Sequence, residues 1–428
     1  VNRADIDADV VITGIGLITA LGEGREATWQ GLIEGKTAIA TISTYDASSL
    51  LTRQAAQLHD FDARRYLDRK ARRFMAPVDE IACGAAHLAL ADAGLTPSDL
   101  VPERTALFAG GNKELCRPEG VVEAALAIRS ADGRADFAKL GEIASSVFPP
   151  LFYVEGLQPA VLFFVSQMFG IRGPNAYFHG TAEAGASAIT AAARAIRRGA
   201  ADIAIAGGFD DPTSWWPMSH MDTLGVLTSR NDLGAGAFRP FDRDRSGSLL
   251  GDGAAFLVLE RRSAAAARGA RGYAQIAGSG AANDRRVLTP ATHGLTSAIT
   301  RALADATLPA DSVDYVCAHG CATRLGDLTE VQAIRGALGQ AAESVWASSV
   351  KPQTGHLVGA AGALNIAVAA LALHHAVAPP TLHLEHPDPQ CRLDWIPKSA
   401  RDGRLRNALA LARGLAGQQV AVALRRTR

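Results

Sequence analysis

The sequence lacks most of what would commit it to a charged partner, a membrane or a metal. Lys+Arg and Asp+Glu each count 43 among 428 residues, so the formal net charge is zero. That balance excludes electrostatic capture of nucleic acid or an anionic membrane as the main task. Aromatics make up only 6%, and the cysteines number five: Cys83, Cys116, Cys317, Cys321 and Cys391. The count is odd, and no CxxC pair or Cys/His cluster of zinc spacing occurs, which predicts free thiols and no bound metal. A reducing cytoplasm suits such thiols. No uncharged apolar run of roughly 18–20 residues stands out as a membrane span. The first nine residues lack the basic start and apolar core of a signal peptide. A soluble, cytoplasmic protein is expected.

What is present is a large core. Hydrophobic residues reach 48% and charged residues only 20%, too apolar for a disordered chain. The length allows two or three domains, or one large duplicated one. Val10–Thr19 reads as a buried strand running into a glycine loop, and residues 26–35 and 78–94 carry helical periodicity. Thr105–Gly111 reads as another buried strand. Residues 112–160 are irregular and hold several prolines, which predicts an excursion of short helices suited to a binding or interface surface. A helix is expected over 182–198 and a strand from Asp202 to Gly208. The second half repeats the alternation: a strand over 254–260, a helix over 293–306, a strand over 313–320 entering a loop, a helix over 359–374, and a last strand over 419–424. Strands alternating with helices at this spacing predict an α/β fold with buried sheets. Both halves open with a strand, a glycine turn and a helix, so a duplicated unit is expected, divided as residues 1–258 and 259–428.

Four local patterns hold the chemistry. Around Glu183, the run Gly173-Pro-Asn-Ala-Tyr-Phe-His-Gly-Thr-Ala-Glu-Ala-Gly-Ala turns from a strand sharply into a helix. The helix start favours an anion or a thiolate. Ala318-His-Gly-Cys-Ala-Thr-Arg-Leu-Gly-Asp-Leu-Thr-Glu330 and Lys351-Pro-Gln-Thr-Gly-His-Leu-Val-Gly-Ala-Ala-Gly362 each place a histidine in a glycine-flanked loop after a strand. Such histidines suit acid/base work or oxyanion donation. The fourth is Leu411-Ala-Arg-Gly-Leu-Ala-Gly near the C-terminus. Singly, each has a structural reading, and the spacing alone reaches no further than an acyl- or phosphoryl-type enzyme.

Together these patterns resemble the β-ketoacyl synthase family, and the resemblance runs through almost the whole chain. It includes Arg239-Pro-Phe-Asp-Arg-Asp-Arg-Ser-Gly-Ser-Leu-Leu-Gly-Asp-Gly-Ala-Ala between the motifs. It implies a thiolase-like fold of two duplicated α/β halves, layered α-β-α-β-α. In that family a cysteine at the helix start accepts an acyl chain from acyl carrier protein (ACP), and two histidines assist decarboxylation of malonyl-ACP. A lysine paired with a glutamate orders the site. The resemblance assigns the histidines to His319 and His356, the lysine to Lys351 and its partner to Glu330. No cofactor is implied, because the acyl chains arrive on the phosphopantetheine arm of ACP.

The departures from the family decide the expected function. Glu183 occupies the cysteine position, and a glutamate cannot form the thioester. Cys317 and Cys321 belong to the wrong motif to replace it. Synthases of this family carry a phenylalanine gate near the C-terminus; here Arg413 stands there, followed by Gly414 and Leu415. That tail, Ala206-Gly-Gly-Phe-Asp and Trp215-Trp216 resemble the chain-length factors of bacterial type II polyketide synthases. Those subunits pair with an active ketosynthase and shape the tunnel in which the chain grows. The intact His319, Lys351 and His356 are unusual for such a subunit.

The leading expectation is therefore a ketosynthase-like partner subunit, itself without a nucleophile. Strand 176–180 would pair across a pseudo-two-fold axis. Phe148, Phe152, Phe163, Phe164, Tyr177 and Phe178 would line the tunnel and interface. Glu183 is expected to accept hydrogen bonds from His319 or His356. Its pKa is open in sign: burial raises it, while cationic neighbours and the helix dipole lower it. Two other readings stand beside this one. The chain would be a malonyl-ACP decarboxylase using His319, His356 and Glu183, or a homodimeric protein that binds or transfers acyl groups of ACP. Arg194, Arg197 and Arg198 would either meet an acidic ACP or form a solvated helix face.

Overall fold

A computed structural model describes residues 9–427 apart from Cys116, Val287, Leu288 and Pro290. The N-terminal run and Cys116, both read above from sequence, lie outside the described residues or almost wholly so. Eleven strands follow one another in a single hydrogen-bonded sheet: β1 Val10–Thr19, β2 Thr105–Gly111, β3 Asn175–His179, β4 Ile203–Asp210, β5 Gly253–Arg261, β6 Ala274–Asn283, β7 Tyr315–Cys317, β8 Trp346–Ser348, β9 Asp394–Trp395, β10 Asn407–Arg413 and β11 Gln418–Arg426. Their spatial order is β9-β8-β7-β10-β11-β6-β1-β5-β4-β2-β3.

That order contains the duplication. In the first half the strands lie as β3-β2-β4-β5-β1, and in the second as β8-β7-β10-β11-β6. Numbered within each half, with the two-residue edge strand β9 left out, both read third, second, fourth, fifth, first. In both, the first three positions run parallel, and the next two strands return antiparallel. Val10–Ile12 of β1 also pairs with β6, which joins the two half-sheets edge to edge.

Helices fill the layers. The main ones here are α1 Arg25–Ile33, α2 Pro77–Asp92, α3 Pro118–Ala127, α4 Phe137–Val147, α5 Phe152–Glu155, α6 Ala160–Phe169, α7 Ala184–Arg197, α8 Trp215–Leu224, α9 His293–Asp305, α10 Arg324–Leu338 and α11 Ala361–His375. α7 and α11 form the central layer, packed with residues of both half-sheets into one core cluster. α2 and α6 cover the outer face of the first half-sheet. α9 and α10 cover that of the second. The thiolase-like α-β-α-β-α layering is present as expected.

Small residues allow the central crossing. A Cβ on Gly185 of α7 would press on Ala363 of α11, Gly208 of β4 and the Gly359 carbonyl. The crossing thus brings the start of α7, which follows Glu183, against the loop that carries His356. Gly14 and Gly16 act likewise on the outer face, where a Cβ would strike the Ala89 and Ala85 carbonyls of α2. The sequence reading had the apolar run end in glycines at the entry to a loop. They lie inside β1, because they let α2 sit flush on the strand.

One apolar stretch reaches membrane length after all. Val358–His375 has a mean hydropathy of 1.5 over 18 residues, and 89% of it is buried. It is the core helix α11 with its preceding turn, and its apolar surface meets protein on nearly all sides. The cysteines Cys83, Cys317, Cys321 and Cys391 are free.

Candidate functional site

Three loops meet at the starts of the central helices α7 and α11: the turn from β3 into α7, the loop after β7, and the turn after β8. They bring Glu183, His319, Lys351 and His356 together with the β10–β11 turn. The cavity between them holds about 320 Å³. One end is polar, lined by His319, His356, Cys321, Thr323 and Arg413; the other is apolar, with Met221, Leu224, Leu227, Leu250 and Leu415.

The histidines face each other with ring centroids 5.3 Å apart and planes at 78°. His356 Nδ1 accepts the Val358 amide at 3.0 Å, which leaves its proton on Nε2 when the ring is neutral. His319 is 5% exposed, and its Nδ1 has no hydrogen-bond partner. Burial pushes the pKa of His319 well below the ordinary value, helped by the charges of Lys351, His356 and Arg413. Burial and Lys351 do the same to His356. Two neutral imidazoles therefore face the polar end, with one ring nitrogen fixed as a donor. Such a pair can bind a carbonyl or a developing enolate oxygen.

The loop around His319 is held by its second shell. Glu330 on α10 accepts the amides of His319 at 2.6 Å and Gly320 at 2.9 Å. The Lys351 ammonium donates to the His319 carbonyl. Lys351 and Glu330 form no ion pair within 4 Å, unlike the direct pairing expected from the resemblance. The reason is steric: the peptide between His319 and Gly320 lies between them and takes both charges. Burial lowers the Lys351 pKa, and nearby Glu330 opposes that shift. Asp327 accepts the amides of Ala322 and Phe241 at 3.0 and 2.7 Å. It thereby fixes two residues with positive φ, 58° and 63°, a backbone region that non-glycine residues adopt at a cost. Val358, beside His356, has φ 34°, an outlier for a β-branched residue.

Glu183 stands where the sequence placed it, immediately before α7, and 6% exposed. Its surroundings differ from expectation. Oε2 accepts the Thr181 hydroxyl at 3.1 Å, and neither histidine bonds to it. The carboxyl lies between Gly180 and Gly414, where a methyl group on either glycine would collide with its oxygens. Among the described residues the cavity wall here is Thr181, Ala182, Gly414 and Leu415, with the Glu183 carboxyl behind it. Burial outweighs the hydrogen bonds and raises its pKa. Among the described residues the hydrogen bonds expected from His319 or His356 are absent.

The cysteines offer no substitute. Burial raises the Cys317 thiol to about 12 and the Cys321 thiol to about 11. Cys321 touches the cavity, but it hydrogen-bonds Thr323 at 3.2 Å. Arg413 lines the cavity and is 7% exposed, yet its guanidinium is spent on the wall. It donates to the Gly326 carbonyl at 2.7 Å, Thr329 Oγ1 at 3.1 Å, the Ala291 carbonyl at 3.2 Å and Gln419 at 3.2 Å. The Leu415 amide bonds Thr181 Oγ1 at 3.0 Å.

The aromatic candidates separate. Phe164 is 6% exposed and packs in the core under α2, so it belongs to no free surface. Phe163 beside it is 61% exposed. Phe148 and Phe152 pack against each other at a tilt of 39°, centroids 4.8 Å apart, inside the excursion. Tyr177 and Phe178 alternate on β3, packing on the outer and central cores respectively. None of the six lines the histidine cavity. Arg197 bonds the Ile276 and Ala277 carbonyls and Asp305, leaving only Arg194 and Arg198 to solvent.

Sequence reasoning missed Thr181, Asp327 and the spent guanidinium of Arg413. The Thr-Ala-Glu triplet and the Gly-Asp of the His319 motif were the available signals. No group of three metal-ligating side chains occurs among the described residues.

Comparison with known proteins gives the family. Residues 7–265 match the family model for the N-terminal domain of β-ketoacyl synthase, and residues 273–385 that for its C-terminal domain. The chain is 35% identical to the tetracenomycin polyketide synthase ketoacyl synthase alpha subunit of Streptomyces glaucescens, over 97% of both chains. It is 33% identical to 3-oxoacyl-[acyl-carrier-protein] synthase 2 of Synechocystis, over 97% of this chain and 98% of that one. The solved structure of the ishigamide ketosynthase/chain length factor superposes with a TM-score of 0.87 at 29% identity, over 98% and 99% of the two chains.

Proposed function

We propose, from the premise that this chain belongs to the β-ketoacyl synthase family, that it is the chain-length-factor type of subunit in a type II polyketide synthase. In this reading it pairs with an active ketosynthase and serves ACP-linked elongation in the cytoplasm, needing no cofactor of its own. One observation carries the reading. The residue at the start of α7 is a glutamate whose carboxyl is packed behind the cavity wall, while both nearby thiols are far too basic to act as nucleophiles. Among the described residues the one thiol lining the cavity, Cys321, is held protonated by burial and is a poor acceptor for an acyl chain.

The sheet edge supports a partner. β3 ends the strand order, so the outer edge of Asn175–His179 has no neighbouring strand among the described residues. Open edges of this kind are normally paired or covered. Leu126, Phe137 and Tyr153 of the excursion and Phe163 of α6 are also exposed, from 61% to 77%. A homologous subunit would cover both features about a pseudo-two-fold axis.

Intact-mass measurement after incubation with acyl-ACP tests the reading. The chain alone should keep its own mass, and in the presence of a cysteine-bearing ketosynthase the adduct should appear on that partner. An acyl adduct on this chain would contradict the reading.

A second reading is favoured by the intact histidine pair at 5.3 Å. Malonyl-ACP decarboxylation needs enolate stabilisation, which His319 and His356 can give without a nucleophile. Glu183 would take no direct part, because its carboxyl is outside the cavity. Carbon dioxide release from malonyl-ACP by the isolated chain, lost on His356→Ala, would support this second reading.

A further inference from the structure

Glu183 does more than vacate the nucleophile position, and its contacts say what. The carboxyl is enclosed by two glycines from different segments, Gly180 before α7 and Gly414 after β10. Thr181 connects it onward: the hydroxyl donates to Glu183 Oε2 at 3.1 Å, and its oxygen accepts the Leu415 amide at 3.0 Å. The chain of contacts therefore runs Glu183, Thr181, Leu415, from the first half of the molecule to the β10–β11 turn of the second. That turn bears Arg413, Gly414 and Leu415, all three on the cavity wall.

We infer that Glu183 is a positioning residue that latches the β10–β11 turn shut over the start of α7. The buried carboxyl takes the Thr181 hydroxyl proton, which leaves the lone pairs of the oxygen for the Leu415 amide and favours the side-chain rotamer that reaches it. Leu415 is thereby held at the apolar end of the cavity, and Gly414 is held where only hydrogen fits against the carboxyl. The side chain that replaces the nucleophile also seals the space a nucleophile would need. This rests on the contacts alone and stands whether or not the chain pairs with a ketosynthase.

Hydrogen exchange on the full chain tests it, read amide by amide over residues 411–419. Glu183→Ala should speed exchange of the Leu415 amide roughly tenfold, the value of about one lost hydrogen bond, with β4 and α11 unchanged. Glu183→Gln keeps an acceptor for Thr181 and should restore the wild-type rate. Thr181→Val deletes the link at similar volume and should reproduce the Glu183→Ala effect, which keeps the test open if the alanine variant fails to fold. Unchanged Leu415 exchange in Thr181→Val would overturn the inference. So would a Glu183→Gln variant as fast as Thr181→Val.

Discussion

Lys351 and Glu330 hold one peptide group from opposite sides. The ammonium donates to the His319 carbonyl, while the carboxylate accepts the His319 and Gly320 amides. All of these groups are buried, so each charge is compensated through the same short loop, and the loop holds His319 in place.

Removing one charge should therefore cost far more than the bonds counted singly. Glu330→Ala leaves two buried amides unpaired and Lys351 without a counter-charge, and should destabilise the fold by about 3–5 kcal/mol. Glu330→Gln retains one acceptor and should cost less. Urea unfolding of both variants checks the order.

The histidine pair should be neutral at pH 7. In a ¹⁵N-labelled sample, His356 should carry its proton on Nε2, since Nδ1 accepts the Val358 amide. Both folded pKa values lie below the unfolded value of about 6.5. As the pH falls below that value, the unfolded chain binds protons that the folded chain refuses. Their contribution is thus complete above about pH 6.5 and declines below it. Asp210 and Asp327, raised by burial to about 7, work the other way. They bind protons in the folded state first, so their contribution is lost as the pH rises towards 7. His319→Asn should flatten the acid-side decline, and Asp210→Asn the loss on approaching neutrality, in stability measured against pH.

Restoring the nucleophile should fail on its own. Glu183→Cys places a thiol behind the wall formed by Gly414 and Leu415, with Arg413 still bound into that wall. A misplacement of about 1 Å already costs on the order of a hundredfold in rate. Condensation of acyl- and malonyl-ACP by this variant should stay near background. Robust activity from the single change would show that the site had been intact but for the cysteine.

The crossing of the central helices should tolerate no added volume. Gly185→Ala forces a methyl group onto Ala363, Gly208 and the Gly359 carbonyl, and overpacking of this kind costs about 1–3 kcal/mol. A lowered midpoint in thermal unfolding checks it.

Much of this molecule was legible because its chemistry sits at strand ends beside glycines. β2 was readable to the residue, and α2, α7 and α11 to within a few, since each is long and apolar on its packed face. The strand read over 313–320 is the three-residue β7, whereas β8, also three residues, was too short for alternation to register and its buried pairing comes from the sheet. α10 escaped notice because its inner face carries Asp327, Thr329 and Glu330, polar side chains that hold loops and dilute the apolar period. The site residues were legible as a set, but not their connections. Which way the Glu183 carboxyl points depends on Gly180 and Gly414, 234 positions apart, and no local pattern joins them.

The proposed role makes this chain one half of a condensing pair. A native mass spectrum of the tagged chain, purified from its own host, tests it most directly. The expected result is a complex with a second, homologous subunit of similar mass that bears the cysteine. A stable homodimer of two 44.7 kDa chains, with no second subunit, would contradict it.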